Sequence, residues 1–443
     1  MINFRTVAVL LLVMLSWPVP ALDFFQAIKL AEKSDPAIRE AEYHYQSVLE
    51  TVPQSKSSLL PQLELNIYTR ESQTEISNSS DPATIANGET SYKTDGYRLS
   101  LSQSIYNHGL YLALDQSDIN VARAVVELEA ERQALIIRVA MAYYAVLAAK
   151  DNLRFAHAEK KAIERQLEQA QKRFDVGLTA VTDVKEARAQ YDLAVAQEIM
   201  ADNKVLTARE ALKVIIGDIP GELENISSNL QLVSPEPADI EQWVTFARQN
   251  NPLLKSASYG VESAQKQVAI NRSGHYPSLS FQLSQEYSTP DGGSFVVRDT
   301  EDTTAMLELN VPLYSGGLTR SKTRQAIADV NKNKASYDRV LRQVLQQVRD
   351  SYLGVVASIA QVKALKQALI STQTAYQATQ AGFQVGTRTA VEVLTVLREQ
   401  YRAERDYARA RYDYILNILY LKQAAGVLSE QDVKQVNQWL TEK

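Results

Sequence analysis

The chain contains no cysteine, and its histidines are only four among 443 residues. Without thiols, disulfide bonds and thiolate chemistry are excluded, and cysteine usage says nothing about the redox compartment. The histidines (His44, His108, His157 and His275) are scattered, and no HExxH, GxSxG or P-loop pattern is present. The sequence therefore offers no candidate catalytic, cofactor-binding or metal-binding residue, and we expect a protein that is not an enzyme.

The chain has no excess of positive charge, with 47 lysines and arginines against 52 acidic residues. The net charge is −5 and the sequence pI is about 5.7, so no electrostatic argument favours a nucleic acid as a partner. Carboxylate pairs are frequent, but they fall on polar helix faces, where solvated surface charge is the ordinary explanation.

Long apolar runs are nearly absent, and the one near the N-terminus is short. Residues 7–15 are uninterruptedly apolar, Arg5 precedes them, and small or modest residues lead up to Ala21. This pattern predicts a secretory signal peptide over residues 1–21, cleaved after Ala21, with a membrane anchor as the alternative. No later segment approaches ~18 continuous apolar residues, so we expect no transmembrane helix in the exported chain.

The chain repeats itself. Four stretches recur in the same order at offsets of 208 to 216: residues 35–38 and 251–254, 60–63 and 276–279, 105–110 and 313–318, and 174–217 and 383–426. Such spacing predicts an internal duplication. The predicted organisation is a first repeat (22–217), a connector rich in proline (218–239), a second repeat (240–426) and a C-terminal tail (427–443). We expect the connector and the tail to form a small collar beside the helices.

Each repeat contains a long segment without proline. Residues 109–174 and 317–383 each predict a helix of roughly 100 Å at 1.5 Å per residue, too long for a globular core. Apolar residues follow alternating steps of four and three, the heptad pattern of a coiled coil. In the second copy they are Leu341, Leu345, Val348, Tyr352, Val355, Ile359 and Val362. Gly177 and Gly386 follow the long helices, and shorter helices over 180–217 and 389–426 are expected to fold back antiparallel.

Four further segments alternate apolar and polar residues with a period of two. They predict strands over 62–69, 97–106, 278–287 and 304–314, with tyrosines near their ends, and a polar loop over 71–96. Such alternation is typical of membrane β-barrel strands. Two soluble hairpins packed on helices would give the same pattern, and this alternative stays open.

Four membrane strands would leave two open edges, which hydrocarbon does not tolerate. Closure takes at least about 8 strands in bacterial barrels, so several copies would have to share one barrel. Two, three or four copies satisfy this requirement equally well.

The sequences VGLTAVTDV at residues 176–184 and VGTRTAVEV at 385–393, with the duplication and the leader, resemble the TolC family of outer-membrane efflux and secretion ducts. The resemblance covers essentially the whole mature chain. It implies an α+β membrane protein: a homotrimeric 12-stranded β-barrel in the Gram-negative outer membrane, continuous with a 12-helix coiled-coil tunnel in the periplasm. The implied partners are outer-membrane lipid, a periplasmic adaptor (membrane fusion) protein and an inner-membrane ABC, RND or MFS transporter.

The same resemblance assigns roles around the two bends. Thr182 and Asp183 would link to Arg388 and close the periplasmic mouth. Phe383 occupies a family tyrosine position and cannot donate the hydrogen bond of a hydroxyl. The aperture rings map to Glu392 and Thr395, the second of which is uncharged, and the adaptor-docking bends are Gly177, Leu178, Gly386 and Thr387. Solvated helix-start charges are the alternative for Asp183 and Arg388, and an exposed helix glutamate is the alternative for Glu392.

The resemblance implies transport of small toxic molecules or of secreted proteins, and the sequence does not choose between them. A periplasmic coiled-coil scaffold or adaptor without a pore is the alternative from another class. It would account for the helices and the leader, but it would leave the four alternating strands unexplained.

Overall fold

The computed structural model describes residues 21–76, 88–227, 230–292 and 298–439. The predicted signal peptide over residues 1–21 falls, apart from Ala21, outside the described residues. Within those ranges the helices are α1 (Phe24–Ser34), α2 (Pro36–Leu49), α3 (Thr51–Ser57), α4 (His108–Asp175), α5 (Val181–Ile216), α6 (Ile240–Asn250), α7 (Pro252–Ser273), α8 (Leu318–Gln384), α9 (Ala390–Ala424) and α10 (Glu430–Asn437). The strands are β1 (Gln62–Ile76), β2 (Gly88–Asn107), β3 (Ser278–Gly292) and β4 (Thr300–Asn310).

The chain divides into two compact units that do not coincide with the two repeats. The first unit comprises residues up to Ala41, Glu129–Asn251 and the chain from Gln343 onward. The second comprises Glu42–Leu128 and Pro252–Arg342. Each unit therefore takes part of both repeats, because the long helices α4 and α8 each contribute one end to each unit.

The core of the first unit is aromatic. Phe24 of α1 packs against Tyr143 and Tyr144 of α4, with ring centroids 5.8 and 5.5 Å away, and Tyr144 continues to Tyr412 of α9 at 6.0 Å. The hydroxyl of Tyr143 donates to the backbone carbonyls of Leu22 (2.9 Å) and Glu224 (3.1 Å). The start of the described chain is thereby tied to α4 and to the connector.

The four strands of the second unit form one antiparallel sheet in the order β1-β2-β3-β4. The strand register mostly pairs apolar residues with apolar residues, so the apolar side chains of all four strands lie on the same face of the sheet. Leu65 pairs with Leu99, Leu101 with Leu283, and Phe281 with Leu307. The first and fourth strands are the edges of this sheet.

Strand ends differ from the sequence prediction. The segments expected over 62–69, 97–106 and 278–287 are longer in the structure, and the expected loop over 71–96 is strand at residues 71–76 and 88–96. The hairpins therefore continue beyond their apolar parts, where no hydrophobic alternation marks them. The strand expected over 304–314 is wrong at its end. β4 stops at Asn310, shortly before Pro312, which has no N–H to donate to a ladder.

Two helices, α4 and α8, contain a window long and apolar enough to cross a membrane when judged by length and composition alone. Core helices of soluble proteins pass the same test, and 56% of the window in α4 is buried within the chain. The expectation that no helix spans a membrane stays a prediction.

Candidate functional site

The two bends at the ends of α4 and α8 share one backbone geometry. Gly177 has φ of +76° and Gly386 has φ of +80°, a left-handed conformation that favours glycine. A Cβ at either position would meet no atom within 4 Å, so backbone conformation rather than crowding requires the glycine.

Hydrogen bonds that end the helices also repeat at an offset of 209. The N–H of Leu178 donates to the carbonyl of Arg173 (2.8 Å), and the N–H of Thr387 donates to that of Gly382 (2.9 Å). This six-residue closure is the Schellman motif, which satisfies carbonyls that the helix end leaves unpaired. The two bends are therefore structural equivalents, as the sequence predicted.

The tips of the bends expose apolar side chains. Val176, Leu178 and Val385 expose 68%, 75% and 75% of their surface. Short runs of this kind on a tight turn are an available contact surface for another protein. The predicted docking residues Gly177, Leu178, Gly386 and Thr387 all lie at these tips.

Each bend joins two helices into a helical hairpin, α4–α5 at the first bend and α8–α9 at the second. Below the tips, an apolar cluster packs these two hairpins against each other. Its buried members are Ile163, Ala170, Val184, Ala187, Ala194, Leu394 and Leu397. Small residues on α5 let the helices approach closely, and Tyr191, Tyr376 and Tyr401 pack around the cluster. The hairpins are therefore held together by packing at this level.

The predicted gate residues have local partners within the chain. Asp183, half-buried in the first turn of α5, accepts a hydrogen bond from the hydroxyl of Thr179, and Thr182 is exposed. Arg388 donates to Glu392 one turn further along the second hairpin, with 3.3 Å between nitrogen and oxygen. Asp183 and Arg388 do not pair with each other among the described residues of the single chain.

Glu392 belongs to a capping box at the start of α9. Its backbone N–H donates to the hydroxyl of Thr389 (3.3 Å), and its carboxylate accepts from the backbone N–H of Thr389 (2.9 Å). This N–H is the main cause that lowers the pKa of Glu392 below 4.5, and Arg388 adds to it. Thr395 is neutral, and its hydroxyl donates to the carbonyl of Val391 (2.9 Å).

Three contacts between the hairpins escaped the sequence analysis. The Arg173 guanidinium lies 4.5 Å from the ring centroid of Phe383. Arg405 donates to the buried carboxylate of Glu159 (2.7 Å), and Arg398 donates to Gln190 (3.2 Å). Helical periodicity could indicate the faces of these residues but not their partners, which lie more than 200 positions away.

The sheet has one apolar face and one polar face, and it is the second candidate functional surface. The apolar face carries Leu63, Leu65, Ile67, Leu99, Leu101, Leu279, Phe281, Leu283, Leu307 and Leu309. Its edge strands are the most exposed, with Leu65 at 60% and Leu307 at 64%. On the opposite face, Glu286 accepts from Arg98 (2.6 Å) and from the hydroxyl of Tyr68 (2.8 Å). One face thus suits an apolar environment and the other suits water.

These features can be compared with known proteins. The sequence matches the outer membrane efflux protein family over residues 27–218 and 243–427, which take in most of both repeats. The chain belongs to the outer membrane efflux protein family. Members of this family are channels of the outer membrane rather than enzymes.

Individual members of the family are similar along nearly their whole length. The chain is 36% identical to the outer membrane protein TolC of Vibrio cholerae, covering 96% of this chain and 95% of that protein. It is 28% identical to the alkaline protease secretion protein AprF of Pseudomonas aeruginosa, covering 94% and 87%. The resemblance to the TolC family is thereby confirmed.

A solved member of the same architecture is the outer membrane channel CmeC of Campylobacter jejuni. It superimposes with a TM-score of 0.78 at 16% identity, covering 94% of this chain and 90% of that one. At this identity the likeness concerns the fold alone, which is mostly helical with a four-stranded sheet.

Proposed function

We propose that three copies of this chain form one duct through the outer membrane and the periplasm. Each copy supplies four strands to a closed barrel of twelve and four helical stretches to a tunnel beneath it. The duct carries cargo from an inner-membrane transporter (ABC, RND or MFS), and a periplasmic adaptor opens it by docking at the bends. Residues 218–239 and 427–443 would form the collar, and residues 228–229 and 440–443 of these ranges lie outside the described part of the chain.

The continuous apolar face of the sheet is the observation that carries this proposal. Apolar side chains extend across all four strands in register, and those on the edge strands are largely exposed in the chain. Burial of such a face in lipid is favourable by about 25 cal/mol for each Å² removed from water. In a soluble scaffold, the same face would stay exposed to water and promote aggregation.

Strand edges explain why copies must join. The order β1-β2-β3-β4 leaves both β1 and β4 without a second neighbour in the described sheet. Within hydrocarbon, unpaired backbone N–H and C=O groups each cost several kcal/mol, as a rule of order ~2–7. Pairing β4 of one copy with β1 of the next removes every edge when the ring closes.

The mouth is closed by links between neighbouring copies. Asp183, with Thr182 beside it, accepts one partly buried hydrogen bond from Thr179, and Arg388 makes one exposed ion pair with Glu392. Both contacts are exchanged at little cost, since a single hydrogen bond contributes only ~0.5–1.5 kcal/mol net and an exposed ion pair ~0–1 kcal/mol. Arg388 of one copy therefore reaches Asp183 of the next in the closed state, and three Glu392 carboxylates form a cation-attracting ring just inside.

Two classes of cargo, small molecules and secreted proteins, are compatible with the proposed duct. The family is described as one of efflux proteins, and one relative is named for protease secretion, so both efflux of small molecules and secretion of proteins fit the family. A pore-free periplasmic scaffold is the competing function, and the apolar sheet disfavours it.

Fractionation and conductance together test the proposal. The duct predicts that the protein stays with outer membranes after osmotic shock, is extracted by detergent as a trimer, and passes ions in planar bilayers. Release by osmotic shock, or a detergent-stable monomer that passes no ions, would contradict it.

A further inference from the structure

The ends of the two long helices touch through one cation and one ring. Arg173 lies in the last turn of α4 and Phe383 in the last turn of α8, and both are half-buried. The guanidinium carbon is 4.5 Å from the ring centroid. This distance is within the roughly 6 Å over which the electron-rich face of an aromatic ring attracts a cation.

Only one of the two contacts that the duplication would allow is present among the described residues. Because the backbone hydrogen bonds of the bends repeat at 209, Arg173 is the structural equivalent of Gly382, and Phe174 that of Phe383. Each repeat therefore supplies an aromatic ring here, but only the first supplies a cation.

Gly382 also has no room for a side chain. A Cβ built there would lie 2.8 Å from Cγ of Arg388 and 3.1 Å from the hydroxyl oxygen of Thr387. The folded-back stem of Arg388 occupies the space in which a second copy of the Arg173 side chain would begin. Position 382 of the second repeat therefore cannot supply a cation to the Phe174 ring of the first repeat.

We propose that the Arg173–Phe383 contact is a latch that holds the first bend against the second within each chain and favours the closed mouth. This proposal rests on the proposed duct function. Outward movement of the α8–α9 hairpin would draw the ring away from the guanidinium, and the attraction falls as they separate. The apolar cluster below the bends contains Val184 and Leu394 and persists as the pivot of this movement.

The latch also accounts for a phenylalanine where the family resemblance led us to expect a tyrosine hydroxyl. A ring face suffices to bind a guanidinium, and the hydroxyl is not required for this contact. Arg173 is therefore a positioning residue for the mouth.

Single-channel recording of the full-length protein in planar bilayers tests this latch. Phe383→Leu removes the ring and keeps an apolar side chain, while Arg173→Gln removes the charge and keeps most of the length. Each is expected to raise the ratio of open to closed mouths about two- to fivefold for every one of the three latches that the variant trimer loses, the effect of losing one partly exposed cation–π contact. The double variant should open no further than either single variant, because both changes break the same contact.

Conservative variants and a repeat-matched control complete the experiment. Arg173→Lys and Phe383→Tyr keep a cation and a ring, so both should stay near the wild type. Phe174→Leu removes the equivalent ring of the first repeat, which has no cation over it, and should leave opening unchanged.

Two outcomes would overturn the latch while leaving the duct intact: additive effects of Arg173→Gln and Phe383→Leu, or an equal effect of Phe174→Leu. If the wild type itself passes no ions, the proposed function fails and the latch fails with it.

Discussion

Arg388, just before the N-terminus of α9, donates to Glu392 in the first turn of that helix across 3.3 Å, and the carboxylate of Asp183 accepts a hydrogen bond from Thr179 instead. Asp183 and Arg388 thus each contact a neighbour from their own hairpin. Both local bonds lie at the start of a helix that follows a bend, so they can be exchanged without unwinding a turn. The residues of the mouth are therefore poised to exchange partners.

Removing either gate residue should open the mouth. We expect Asp183→Ala and Arg388→Ala each to raise single-channel conductance in planar bilayers, because each deletes one side of the link between copies. The effect per link is modest, since an exposed pair contributes ~0–1 kcal/mol, but three links act in one trimer.

Matched controls for the gate exist on the same two helices. Asp192 pairs with Arg188, and Arg402 with Asp406, each one turn away and exposed. Asp192→Ala and Arg402→Ala remove the same charges away from the bends and should leave conductance unchanged. If Asp183→Ala and Arg388→Ala also leave conductance unchanged, the proposed gate is contradicted.

Cation selectivity should depend on Glu392 and persist in acid. Because the backbone N–H of Thr389 and the Arg388 side chain hold the pKa of Glu392 below its ordinary value, its charge is lost as the pH falls through that lowered pKa. Reversal potentials in salt gradients should show constant selectivity near neutral pH and a decline in stronger acid, with a midpoint below the ordinary glutamate value of 4.5.

Glu392→Gln should reduce that selectivity at every pH, while glutamine keeps the capping box. Glu399→Gln, at an exposed position on the same helix, serves as the control. A selectivity midpoint above pH 4.5 would contradict the assignment.

Two adjacent tyrosines should respond to the same substitution with opposite sign. Tyr143 donates to two backbone carbonyls, so Tyr143→Phe should lower the free energy of unfolding by about 1–2 kcal/mol. Tyr144 is 1% exposed, and its hydroxyl has no hydrogen-bond partner among the described residues. A buried unpaired hydroxyl is costly, so Tyr144→Phe should raise the free energy of unfolding by about 1 kcal/mol. Denaturant titration of the detergent-solubilised protein measures both, and equal signs would contradict the hydrogen-bond assignment.

Neighbouring residues on opposite faces of β1 should differ in their tolerance of charge. Leu65 lies on the apolar face and Asn66 on the polar face. Leu65→Arg should destabilise the barrel by about 2–4 kcal/mol, the cost of a cation near the bilayer midplane, whereas Asn66→Arg should be nearly neutral. Equilibrium unfolding from lipid vesicles measures the difference. Equal tolerance at the two positions would mean that this sheet does not face lipid.

Periodicity predicted the regular parts of this fold well. The alternation through Leu63, Leu65 and Ile67 does place these residues on one face of a strand, because side chains in a strand alternate strictly. Val348, Val355 and Val362, spaced by seven, are indeed buried, while Leu345, Tyr352 and Ile359 between them are half-buried in the single chain. The glycine bends were also predictable, because few residues other than glycine adopt a positive φ there.

Contacts between distant segments were not predictable in the same way. A heptad pattern shows that Arg405 and Glu159 lie on helices that pack, but rotamers and helix register decide that they meet. The latch residue Arg173 follows no motif, and its meaning depends on a ring 210 positions later. The long polar ends of β1 and β2 were missed because without an apolar face, alternation leaves no signal.

The unpaired edge strands β1 and β4 of the described sheet also affect the single chain before copies assemble. A newly exported chain carries two strand borders ready to pair with any extended polypeptide, beside a greasy face that water cannot solvate well. Pairing between copies in the proposed duct would cover both borders and place the apolar face in lipid. The proposed duct therefore implies that the sheet has to be shielded from other chains until the copies assemble.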